Sequence, residues 1–63
     1  MNWLDLTPQQ RGAVLNGMQM YGGSFVKALA AACFAADPDN EVKLMSAFPD
    51  LVRRYHKVAE AAL

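Results

Sequence analysis

The residues of this chain that come nearest to site chemistry are Tyr21-Gly22-Gly23-Ser24 and Lys27. A helix start reached through glycines leaves backbone N–H groups unpaired and converging, which is how helix N-termini hold anions. Lys27, one turn in, adds a positive charge, and Tyr21 offers a ring on which a base can stack. The ligand class is then a phosphate or a signalling nucleotide. The stretch is not a phosphate loop, since it lacks the longer glycine spacing and the Gly-Lys-Ser/Thr ending. The same residues also read as a tight interhelical corner in which paired glycines adopt positive φ and Ser24 is the N-cap. Lys27 would be costly to bury alone, so a buried Lys27 calls for a carboxylate or an anionic ligand.

Two further groups carry charge or donors. Arg53, Arg54, His56 and Lys57 form a basic run that reads either as a phosphate- or acid-binding face or as a solvated helix face. Asp37, Asp39, Glu41 and Asp50 are its complement within or between subunits. His56 and Glu60 stand four apart, on one helix face, and are expected to form a surface ion pair; two ligands do not make a metal site, so no metal is expected. Cys33 lies among alanines and reads as a small buried hydrophobe. No spacing brings His56, the only histidine, to Cys33, Ser24 or Ser46 as a nucleophile–base pair. An enzyme is therefore not expected, nor any cofactor.

The elements that must position these residues are helical. Thr7-Pro8-Gln9-Gln10 is a capping box with proline at the first helical position. It opens a helix over 8–21, interrupted by Gly12 and Gly17, which weaken it by ~1 kcal/mol each and suggest close approach of another backbone. The central helix, 24–36, is apolar on nearly every side, with Lys27 its one charged residue. Such a helix is normally enclosed. A rise of about 18 Å over a dozen residues is too short for a ~30 Å bilayer core, so no membrane is expected. Asp37-Pro38 opens a short third helix, 38–47, and Pro49 a fourth, 49–62. In the fourth, Leu51, Tyr55, Val58 and Ala62 make an apolar stripe. Met18, Met20, Met45, Phe25, Phe34 and Phe48 are expected in the core, and residues 1–6 as an extended lead-in. The fold expected is a single all-α domain, a compact bundle of four helices spanning residues 1–63.

Composition bounds the function. The 63 residues carry six basic and six acidic side chains, so no net field draws the chain to nucleic acid, which is not expected as a partner. The apolar share is 54%, high for a domain with so little interior. That excess predicts a homo-oligomer, a dimer or larger ring, with Gly17, Phe25, Leu29, Cys33 and Phe34 at or beside the interface. A lone cysteine offers no intramolecular disulfide. The opening Met-Asn-Trp-Leu-Asp-Leu has neither the basic flank nor the apolar run of a secretory leader, so a cytoplasmic location is expected.

Met20-Tyr21-Gly22-Gly23-Ser24-Phe25-Val26-Lys27-Ala28-Leu29, Ala36-Asp37-Pro38, Lys43-Leu44, Ala47-Phe48-Pro49 and Tyr55 together resemble a group of small helical proteins of tailed phages and prophages. The resemblance covers roughly residues 7–57. It implies a compact helical fold and a viral accessory role in the bacterial cytoplasm, with no chemistry assigned to particular residues. Two functions then compete. One is docking on a host protein to inhibit or redirect it, as in host takeover or anti-defence. The other is sequestration of a small anionic ligand at the Gly-Gly-Ser helix start.

Overall fold

A computed structural model describes residues 2–61, which form a short 3-10 helix, Trp3–Asp5, and four α-helices. These are α1 (Pro8–Tyr21), α2 (Ser24–Ala35), α3 (Pro38–Ser46) and α4 (Pro49–Ala61). No strand occurs among the described residues. The helix starts follow local chemistry. Thr7 Oγ1 accepts from the Gln10 N–H at 3.1 Å, while Gln10 Oε1 accepts from the Thr7 N–H at 2.8 Å. The Asp37 carboxylate accepts from the Asn40 N–H at 2.8 Å. Pro8, Pro38 and Pro49 each stand at the first position of their helix, where a missing N–H is harmless. Ala62, the last residue of the anticipated stripe, lies outside the described residues.

The core gathers from every element. Val14 and Met18 of α1, Ala30 of α2, Met45 of α3 and Val52 of α4 are fully buried, and Cys33 and Trp3 nearly so. Helix α1 is the hub, packing against both α2 and α4, while α3 bridges α2, α4 and the 3-10 helix. Gly17 is buried where α1 crosses α4, with Tyr55 and Val58 as the nearest side chains. The anticipated close approach is therefore made at Gly17. At Gly12 it is not: a Cβ there would meet nothing within 4 Å.

The lead-in is the main departure from expectation. Residues 3–5 are helical rather than extended, and Trp3, 1% exposed, is a large core side chain. Its indole Nε1–H donates to Glu41 Oε1 of α3 at 3.3 Å, and its carbonyl accepts from Arg11 Nε at 3.2 Å. The Arg11 guanidinium sits 5.8 Å from the ring centroid, a cation–π distance. Trp3 thus closes the open end between α1 and α3, a role that no local pattern encodes.

The molecule is thin, 28 × 26 × 18 Å. Eighteen ångströms holds two helix layers and no more, since a helix with side chains is 10–12 Å across. In such a body no helix can be surrounded. Helix α2 accordingly buries Leu29, Ala30 and Cys33 and turns its other side to solvent. The chain's own helices therefore do not enclose α2.

Candidate binding surface

At the glycine corner the structure revises the local reading. Gly22 and Gly23 have φ of −78° and −77°, so neither needs the left-handed region. Gly22 is needed for space instead: a Cβ there would overlap the Val26 side chain and the carbonyl oxygen of Met18. The N-cap of α2 is Gly23, not Ser24, and no side chain caps this end. Ser24 is the first helical residue and lies exposed. Lys27 is exposed as well, so it needs no buried partner. The corner has solvent-facing N–H groups and a nearby ammonium, but its glycine serves the packing of α1 on α2.

The side chains around that corner are unusual in another way. Met20 and Tyr21, the last residues of α1, are 68% and 63% exposed, and Phe25 in the first turn of α2 is 61% exposed. Phe25 packs edge-on against Phe48, with centroids 5.7 Å apart. Phe34, near the other end of α2, is half exposed. Scattered exposed apolar residues are ordinary; several large ones on one corner and one helix are not. Met20, Phe25 and Phe34 were expected in the core, whereas Met18 and Met45 are buried there and Phe48 packs at its edge.

The anticipated oligomer residues separate into two sets. Gly17, Leu29 and Cys33 are buried inside their own chain and cannot meet a second one, which corrects that part of the expectation. Phe25 and Phe34 remain accessible. Burial, and secondarily the Glu41 carboxylate, push the Cys33 thiol up from its ordinary range, which keeps it protonated and unreactive at neutral pH.

The basic run also divides. Arg53, Arg54 and Lys57 are exposed, and Arg53 pairs with Asp50 one turn earlier. His56 instead points inward, 8% exposed, because Val52, Tyr55 and His56 form the buried stripe of α4. Its Nε2 lies 2.6 Å from Glu60 Oε1, the expected i, i+4 contact. This pair lines a cleft of about 490 Å³ with Thr7, Gln9 and Gln10 from the start of α1. The Thr7 and Gln10 groups are committed to the capping box, so the free polar lining is mostly Gln9 and the His56–Glu60 pair. The i, i+4 spacing announced the pair; the cleft depends on α1 packing beside α4 and has no signature in sequence.

Among the described residues no group of three or more metal-ligating side chains comes together. Among the described residues no helix is long and apolar enough to cross a membrane. Comparison with protein-family models, with curated proteins and with solved structures finds no match to this chain.

Proposed function

We propose that the protein is a non-enzymatic accessory protein, of the kind its resemblance to tailed-phage proteins implies, that works by docking on a host protein to inhibit or redirect it. The observation that carries this reading is the presentation of Met20 and Tyr21, each about two-thirds exposed, beside the closely packed corner at Gly22. Tyrosine is enriched among the residues that dominate binding energy, and methionine adapts to irregular partners.

The test is photocrosslinking in host cytoplasm with a reactive amino acid at Tyr21, and separately at Arg54 on the opposite kind of surface. One host protein captured from position 21 and not from 54, and lost from affinity capture with Tyr21→Arg, supports the reading. Equal capture from both positions refutes it.

A second reading draws on the uncapped N-terminus of α2, with Gly23 open around its Cα and Lys27 exposed one turn in. Here a small anion such as a signalling nucleotide is held. In thermal-shift measurements a ligand at 100 times its Kd adds about 2.7 kcal/mol. Lys27→Ala should remove most of such a shift, whereas no shift with any nucleotide leaves docking as the working function.

A further inference from the structure

The outward line of α2 is Ser24, Ala28, Ala31 and Ala35, spaced four, three and four residues apart. All four are exposed and lie opposite the buried Leu29, Ala30 and Cys33. That spacing is the seam of a helix pair, and side chains this small let two backbones approach to about 8 Å. Phe25 and Ala32 flank one side of the line, Lys27 and Phe34 the other. Nothing in the described chain covers this face.

We propose that a second copy of this chain covers it, packed antiparallel, α2 against α2, about a two-fold axis level with Leu29 and Ala30. In that register Ser24 faces the partner's Ala35, and Ala28 faces the partner's Ala31. Each bulky flank then meets a yielding one. Phe25 lies over the partner's Ala32. Phe34 lies beside the partner's Lys27, whose stem and ammonium suit an aromatic face. The seam carries no charge, so pairing like with like meets no repulsion, and antiparallel helix dipoles attract.

The area agrees with this occupant. The outward half of a helix about 18 Å long and 10–12 Å across presents on the order of 400 Å². The half-exposed rings of Phe25 and Phe34 add roughly 200 Å². About 600 Å² per copy stands at the lower edge of specific interfaces, which begin near ~1,200 Å² in total. Interfaces this small belong to the weak end of specific association, so the dimer is expected to need micromolar chain or more. No other helix offers such a face: the outer sides of α1, α3 and α4 carry Gln9, Asn16 and Gln19, Asp39 and Lys43, and Arg54 and Lys57. This face adjoins the glycine corner, but the docking reading rests on Met20 and Tyr21 of α1 and this proposal on the outward residues of α2, so each is tested by its own variants.

Sedimentation equilibrium from low micromolar to about 1 mM chain brackets that affinity. The mass should rise from 6.9 kDa toward twice that value. Ala31→Glu should stay monomeric throughout while keeping the helical circular dichroism and melting behaviour of the parent. Disulfide trapping fixes the direction. Two copies of Ala31→Cys stand one helical turn apart or less across the axis and should crosslink. Two copies of Ser24→Cys would be about 16 Å apart along the helices, beyond any disulfide. Ser24→Cys mixed with Ala35→Cys should crosslink again. A wild-type chain monomeric at every concentration overturns the proposal, as does an Ala31→Glu chain that dimerises like the parent. Self-crosslinking of Ser24→Cys without that of Ala31→Cys overturns the antiparallel arrangement.

Discussion

Helices α2 and α4 are of similar length and each buries one side, yet their outer sides are opposites. Helix α4 turns Val52, Tyr55 and His56 inward and shows Arg53, Arg54 and Lys57 to water. Helix α2 turns Leu29, Ala30 and Cys33 inward and shows alanines and two phenylalanines. Both inner faces serve the same core. The outward alanines of α2 favour the helix itself, but the exposed rings of Phe25 and Phe34 add little to an isolated chain. Those rings are why α2 rather than the basic run draws the functional readings.

The contrast can be broken first by charge. Val52→Asp places an unpaired carboxylate in a fully buried position of α4. It should abolish the cooperative thermal transition, since such burial exceeds what a small domain can absorb. Ala28→Asp on the outer face of α2 should shift the melting curve only slightly, by a few tenths of a kcal/mol. If Ala28→Asp unfolds the monomer as thoroughly as Val52→Asp, the two outer faces are not different in kind.

Trp3→Ala comes next. Loss of a buried tryptophan costs about 3–5 kcal/mol, to be read from denaturant midpoints. Trp3→Phe should recover part of that loss, because it refills volume without restoring the hydrogen bond to Glu41.

The glycines sharpen the comparison at smaller scale. Gly22→Ala should destabilise by about 1–3 kcal/mol, because Val26 and the Met18 carbonyl leave no room for a methyl group. Gly12→Ala, with open space around it, should stabilise by roughly 0.5–1 kcal/mol through helix propensity alone.

Cys33 gives the smallest effect. Its thiol is held above its ordinary range, so the folded chain keeps a proton that the unfolded chain gives up as pH rises past ~8.5. Its contribution is complete below that pH and declines above it, up to the folded-state value. Stability of the parent relative to Cys33→Ala should therefore fall with rising pH in alkaline urea titrations and stay level between pH 6 and 8.

Thr7, Pro8, Asp37, Pro38 and Pro49 mark their helix starts in the sequence because capping is local chemistry, settled within four residues. The outer face of α4 was readable for a related reason, since a mixed composition records which side is wet. The apolar stripe of Leu51, Tyr55 and Val58, widened by Val52, does pack on the core, but it leaves His56 among the cations, and the burial of His56 is set by where α1 lies. Helix α2 could be recognised as apolar but not oriented, since a uniform composition carries no phase. Trp3 joined the core through Glu41 and Arg11, contacts made across the fold, and the cap that local pattern assigns to Ser24 falls one residue earlier, on Gly23.

The indole of Trp3 and the carboxylate of Glu41 are separated by 38 positions. Chains leave the ribosome from the amino end, and domains settle only once their distant partners have emerged. A nascent copy must therefore carry its tryptophan uncovered until the third helix clears the exit tunnel. The indole is sealed by a segment that is synthesised well after it.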